Sequence, residues 1–384
     1  MVAQGDFRPS WHHLAARAFG WGGARWACEK LARRYRLDFS NQRRLPSLRS
    51  AGGPRILILC YHRIGTGGIP FHSELPTQLF ERQMRFLRKH YRVLSLADAC
   101  KELKSGSWTQ PSVVVTFDDG YGDLFRQAMP ALKRYGIPAT VYLTVGAIET
   151  GEVAWYDRIF LVLKHAAGPE LECELADGQS SHFQLHDANA RFRAAVDIIT
   201  ALRTLPDSER QELCAYLEKR AQLPAAELKD RMLTWEQVRA MHDAGISFGC
   251  HTMTHPVVSR LSFHELKREL SDSRQLMEKR TGAPVLDFAY PFGKPADCGN
   301  EAQLVLEKEG YRSAVTTTGG VNVRGTNLYQ LLRVNPGDER SLAMFSMQVN
   351  WHFLRASPLP GCFGRGDVSG ADETSRRDTQ EVVR

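Results

Sequence analysis

Two carboxylates stand side by side in Asp118-Asp119-Gly120, directly after the apolar run 113–117. Like charges this close raise one pKa unless a cation lies beside them. The alternative is a solvated turn, where Asp and Gly are common. A second cluster, His251-Thr252-Met253-Thr254-His255, follows the apolar run 246–250. If the chain turns helical there, residues four apart share a face and both imidazoles can chelate one ion. Otherwise one imidazole caps or packs while the other is solvated. Both clusters end apolar runs of strand character, and in a (β/α) barrel such ends meet on one face, where active sites are built. Asp119, His251 and His255 with open positions suit a divalent metal, Zn²⁺ first, with Co, Ni, Mn or Fe as alternatives.

Two more strand-to-loop junctions reach the same face. Phe288-Ala289-Tyr290-Pro291-Phe292-Gly293 makes a turn that can aim a backbone N–H into a cavity, and Leu59-Cys60-Tyr61-His62-Arg63 brings His62 there. Each is, by itself, an ordinary end of a strand.

The elements that must position these residues are short apolar runs alternating with helical segments. The runs are 56–61, 91–96, 112–117, 140–145, 246–250, 285–290, 313–317 and 331–334. Helical periodicity covers 78–90, 124–135, 235–244, 263–281 and 302–309, with Gly136, Gly245, Gly282 and Gly310 where C-cap glycines belong. The fold class is α/β: a distorted (β/α) barrel of seven or eight strands. Residues 151–232 break the rhythm and read as a mostly helical insertion. The expected organisation is a basic, partly helical arm (1–40), a linker (41–55), the barrel (56–357) and a disordered tail (358–384).

The net charge of +7 is concentrated in the arm. Residues 1–55 carry ten Arg and one Lys against Asp6, Glu29 and Asp38, a net +8, so the body is close to neutral. That argues against a nucleic-acid partner, which needs an electrostatic excess. None of the eight cysteines has C-x-x-C spacing, so neither a thiolate zinc site nor a redox pair is expected. No signal peptide or transmembrane run is seen, and a cytoplasmic location is expected. Residues 10–37, with Trp11, Phe19 and Trp26 among basic residues, either pack on the barrel or make peripheral contact with the inner membrane face. The oligomeric state is not readable.

With these motifs in hand, the sequence resembles the polysaccharide deacetylases of the NodB-homology family. Thr116-Phe117-Asp118-Asp119-Gly120, His251-Thr252-Met253-Thr254-His255 and Phe288-Ala289-Tyr290-Pro291-Phe292-Gly293 carry the resemblance in this order across residues 55–336. It implies a hydrolase of non-peptide carbon–nitrogen bonds, with Asp118 as base and Asp119, His251 and His255 as metal ligands. It implies the Phe292 N–H as oxyanion donor, and Tyr290 and Pro291 beside the substrate. The family's Arg is replaced by Ala289, and its late Leu-x-His by Leu331-Leu332-Arg333. Tyr61-His62 is similar to a subgroup with an N-terminal Tyr-His motif, which nominates His62 as acid. Arg333 is nominated to orient Asp118. Trp155-Tyr156-Asp157-Arg158 resembles an aromatic–acidic segment near the substrate groove, so Trp155 and Asp157 are expected to contact sugar or, for the rings, to anchor the insertion. The expected substrate is an acetylated amino sugar of a cell-envelope-type glycan or its lipid-linked precursor. The alternatives are an O-acetyl ester or a small amide, or glycan binding without catalysis.

Overall fold

The run Ile-Leu-Ile-Leu-Cys-Tyr at residues 56–61 is buried at all six positions, as is Ser-Val-Val-Val-Thr-Phe at 112–117. Strands apolar on both faces belong in a parallel sheet covered by helices. The computed structural model describes residues 55–65, 74–175, 180–336 and 341–354. The arm, the linker and the tail expected beyond residue 357 lie outside the described residues, as does any membrane contact through 10–37.

The strands are β1 (Ile56–Tyr61), β2 (Arg92–Leu94), β3 (Ser112–Phe117), β4 (Ala139–Leu143), β5 (Glu170–Glu174), β6 (Ser180–Gln184), β7 (Ser247–Cys250), β8 (Asp287–Ala289), β9 (Ser313–Val315) and β10 (Arg333–Val334). The main helices are α1 (Thr77–His90), α2 (Leu96–Ser105), α3 (Met129–Tyr135), α4 (Val145–Thr150), α5 (Trp155–His165), α6 (Ala188–Leu202), α7 (Asp207–Arg220), α8 (Trp235–Asp243), α9 (Phe263–Thr281), α10 (Pro295–Cys298), α11 (Asn300–Lys308) and α12 (Leu342–Leu354). Eight strands pair in parallel in the order β10-β1-β3-β4-β7-β8-β9, with β2 beside β3. The lower half of β3 pairs with β2 and its upper half with β4, which distorts the ring. Val315 of β9 bridges Leu331, just before β10, so the sheet nearly closes into a barrel.

Side-chain parity then sorts the residues. Leu57, Leu59, Val113, Val115 and Phe117 face the helices in the larger core. Ile56, Ile58, Val114, Tyr142, Ala289 and Val315 form a second cluster, with Ala99, Cys100 and Leu103 of α2 packed on it. Cys60, Thr116 and Asp118 continue that inner parity. At the C-terminal ends of β1 and β3 the inner parity thus delivers Cys60, Thr116 and Asp118, while at the opposite end buried Ser313 donates to Asp287 at 2.7 Å.

Residues 151–232 lie between β4 and β7, which pair directly. This insertion is helical apart from the antiparallel β5–β6 hairpin, which the sequence pattern did not announce. β5 alternates exposed glutamates with buried Leu171 and Cys173, and β6 alternates exposed with half-buried residues, so neither carries a continuous apolar run. The helical segment 124–135 begins as a π-helix at Leu124–Ala128. Helices α2 and α12 were also absent from the reading of the pattern. α12 packs Phe345 on Phe86 and Phe353 on Tyr91. No helix among the described residues is long and apolar enough to cross a membrane.

Candidate active site

Asp118 leaves the end of β3 pointing inward and meets Arg333 on β10. The guanidinium makes a two-pronged pair, Nη1 to Oδ1 and Nη2 to Oδ2, both 2.7 Å. Arg333 is itself fixed by Nε donating to the Thr316 carbonyl at 2.8 Å. Both residues are buried. Burial pushes the Asp118 carboxyl up, but Arg333, helped by His251 and His62, outweighs it and holds the carboxyl well below the usual range. The Cys60 thiol donates to Asp118 Oδ2 at 3.4 Å. Half-buried His62 joins the group: the ligand-type atoms of Cys60, His62 and Asp118 lie within 4.8 Å of one another.

Asp119 has a left-handed backbone, φ 72°, which turns its side chain away from its neighbour's course. Its Oδ1 lies 3.6 Å from His251 Nε2 and 3.7 Å from His255 Nε2, with all three residues buried. His251 Nδ1 lies 2.7 Å from the Ala289 carbonyl, an acceptor, so Nδ1 carries a proton and Nε2 is the ring nitrogen that faces Asp119. Burial, then His251 and Arg210, hold the His255 imidazole well below its ordinary pKa and therefore neutral. Among the described residues no Arg or Lys pairs with Asp119. Three donors at 2.0–2.2 Å from one tetrahedral ion lie roughly 3.4 Å apart. The observed spacing, the neutral His255 imidazole and a carboxylate with no Arg or Lys partner fit a divalent cation.

The helical turn that would place His251 and His255 on one face does not form. Thr252 and His255 adopt φ 67° and 57°, which a right-handed helix forbids, so the imidazoles converge from an irregular loop. The loop is braced from outside. Glu269 on α9 accepts from Met253 N at 2.7 Å, Thr254 N at 3.1 Å and Thr254 Oγ1 at 2.8 Å. The start of α4 donates Val145 N to the Thr252 carbonyl and Gly146 N to the Met253 carbonyl, at 3.0 and 2.9 Å. A Cβ at Gly146 would lie 2.6 Å from the Met253 oxygen, closer than contact allows. Gly146→Ala is therefore expected to lower stability by about 1–3 kcal/mol and to loosen metal binding. Thermal unfolding with and without Zn²⁺ reads both; a metal-induced stabilisation equal to that of the parent chain would refute the second effect.

The third junction places Phe292 at φ 58°, with Thr317 Oγ1 donating to its carbonyl at 2.5 Å. Its backbone N–H has no protein acceptor among the described residues. The Phe292 ring lies 4.9 Å from the His255 ring, under the Arg203 guanidinium at 3.9 Å.

Four residues expected to touch substrate are turned elsewhere. Tyr290 is only 1% exposed and packs edge-on against Phe288, and Pro291 is buried, so they shape the turn. Trp155 is 2% exposed, and its indole N–H is spent on the His255 carbonyl at 3.2 Å. Asp157 is fully buried and accepts from the Tyr121 hydroxyl at 2.8 Å, beyond reach of a sugar. Unforeseen participants are Cys60, Glu269, Tyr121 and Arg210. Cys60 could have been found, since it shares parity with the inner face. Glu269 and Arg210 come from distant helices and carry no spacing signal.

An ionised carboxylate beside a carboxylate–imidazole–imidazole cluster, at the C-terminal ends of barrel strands, defines a hydrolase that can activate water next to a polarised carbonyl. The chain belongs to the polysaccharide deacetylase family, whose sequence profile matches residues 105–314. Members are hydrolases of carbon–nitrogen bonds other than peptide bonds. The chain is 24% identical over 287 residues to YxkH of Bacillus subtilis (strain 168), covering 74% of this chain and 72% of that protein. It is 30% identical over 110 residues to the poly-β-1,6-N-acetyl-D-glucosamine N-deacetylase of Staphylococcus epidermidis, covering 28% of this chain and 37% of that protein. Its fold is similar to that of the Streptococcus pyogenes deacetylase PplD, solved with acetate, at TM-score 0.53 and 20% identity, covering 77% of this chain and 98% of that one. The same holds for IcaB from Ammonifex degensii, at TM-score 0.51 and 18% identity, covering 79% and 98%.

Proposed function

We propose that residues 56–357 form a metal-dependent N-deacetylase of amino-sugar glycans or their lipid-linked precursors. The observation that carries this is the buried Asp118–Arg333 pair set directly beside Asp119, His251 and His255. The deacetylase relative from Staphylococcus epidermidis supports poly-β-1,6-N-acetyl-D-glucosamine as the first substrate to try.

Asp119, His251 and His255 would hold a divalent ion, Zn²⁺ first, whose Lewis acidity polarises the acetyl carbonyl and acidifies water. Asp118, kept anionic by Arg333, takes a proton from the attacking water. The open Phe292 N–H donates to the oxygen on which charge develops. His62, on the same face as Asp118, protonates the sugar nitrogen as the carbon–nitrogen bond breaks. The products are acetate and a free amine rather than an amide anion.

The test is a mass-resolved deacetylation screen of poly-β-1,6-N-acetyl-D-glucosamine, other N-acetylglucosamine oligomers, acetylated xylan and small amides. Loss of acetyl groups from the N-acetylated sugars, abolished by chelator and restored by Zn²⁺, is expected. Release from the ester or small amides alone would reassign the substrate. Metal binding without any acetyl release would refute the proposal.

A further inference from the structure

The insertion follows β4 and α4 and leads into α8 and β7, and its two ends pack against the loops that bear the cluster. At its entry, one turn of α5 grips both. Trp155 Nε1 donates to the His255 carbonyl at 3.2 Å, and the Tyr156 ring lies 4.7 Å from the His255 ring. Asp157 accepts from the hydroxyl of Tyr121, two residues beyond Asp119, at 2.8 Å. At the exit, Gly122 N donates to the Arg231 carbonyl at 2.8 Å and Leu233 N to the Gly120 carbonyl at 2.9 Å. The Asp119 turn is thus held from two sides by the insertion and the His255 loop from one.

The helical body of the insertion backs this grip. Arg210 on α7 is buried and lies over the Trp155 indole at 5.0 Å. Arg158 of α5 pairs with Glu218 of α7 through Nη2 and Oε2 at 2.9 Å. Five consecutive residues of α5, Ile159 to Leu163, are buried in the core. The start of α4 also ties the two loops, Thr144 N donating to the Asp119 carbonyl at 3.3 Å and Val145 N to the Thr252 carbonyl at 3.0 Å, but α5 is the element of the insertion that touches both, so a shift of α5 would bear on both sides of the cluster at once.

We infer that the insertion is a clamp that sets metal affinity, with Trp155 and Asp157 as positioning residues rather than sugar contacts. This rests on Asp119, His251 and His255 being metal ligands. Groups that orient ligands commonly change metal affinity by 10–100-fold when removed. Linkage makes the effect reciprocal: an ion that binds only the clamped arrangement also holds the clamp shut.

The test uses the full metal-free chain titrated with Zn²⁺ against a competing chelator. Trp155→Phe removes the N–H donor but keeps an aromatic ring. It is expected to weaken Zn²⁺ binding about tenfold, as is Asp157→Ala. Asp157→Asn, which still accepts from Tyr121, should restore near-parental affinity. In the parent chain, Zn²⁺ should slow amide hydrogen exchange across α5 and residues 231–233. A plain anchoring role would lower thermal stability while leaving Zn²⁺ affinity unchanged and exchange in α5 indifferent to Zn²⁺; that result overturns the inference. Failure of the parent chain to bind Zn²⁺ would overturn the ligand assignment and the clamp together. Equal binding by all four chains would remove the clamp alone.

Discussion

Asp118→Asn should lower kcat for deacetylation by about a thousandfold, within the 10²–10⁴ range of general-base catalysis, while Zn²⁺ stays bound. The amide has the carboxylate's shape but cannot take a proton from water. Its oxygen still accepts from Arg333, so the pocket keeps one of the two contacts now made at 2.7 Å. Asp119, His251 and His255 are untouched, which is why metal content separates loss of the base from loss of the site. Zn²⁺ content by mass spectrometry and turnover on the same preparation decide the matter. A variant retaining more than a tenth of the parental rate would mean that another group is the base.

Arg333→Met attacks the same pair from the other side and should be costlier to the fold. It leaves a carboxylate inside the barrel without its cation, and breaking a buried pair in this way costs about 3–5 kcal/mol. In the parent chain the Asp118 pKa lies below its unfolded value. Its stabilising contribution is therefore complete above the unfolded pKa of about 3.9, and is lost as pH falls through the folded pKa. Without Arg333, burial acts against weaker opposition and the pKa moves up. The acid limb of the kcat/KM profile should shift to higher pH, and the stability deficit should shrink on acidification toward the new pKa. Arg333→Lys keeps the charge but not the planar fork, and should fall between the two. An acid limb identical in the Met variant and the parent would exclude Arg333 from control of Asp118.

The barrel was readable because its strands are apolar on both faces. The runs at 56–61 and 112–117 coincide with β1 and β3, and the helix at 263–281 with α9, where Ser262 and Glu265 form a capping box. The cluster was readable because strand ends converge whatever the connecting chain does. What escaped was set by tertiary contact. The His251–His255 loop has helical spacing in sequence but is pulled from a helix by Glu269, α4 and Trp155. The segment Trp155-Tyr156-Asp157 has the composition of a sugar platform, yet all three residues are buried, and the Trp155 indole N–H and one Asp157 oxygen are bonded to protein. Burial, which composition does not encode, separates those two uses. The β5–β6 hairpin escaped because only Leu171, Cys173 and Phe183 turn toward the core from two short strands, which leaves no continuous apolar run.

The pairing of β1 with β10 has a consequence in time. Ile58 and Leu59 lie beside Arg333 and Val334, more than two hundred and seventy residues later in the chain. During synthesis the strands that carry His62, Asp118 and Asp119 leave the ribosome early, but the cation that ionises Asp118 comes with the last strand of the sheet. Until Arg333 arrives, that carboxyl lacks its main cationic partner, and burial is opposed only by His251 and His62. On the proposed roles, a nascent chain would carry Asp119, His251 and His255 before Asp118 has its cation, and hydrolytic competence would switch on only when the barrel is complete.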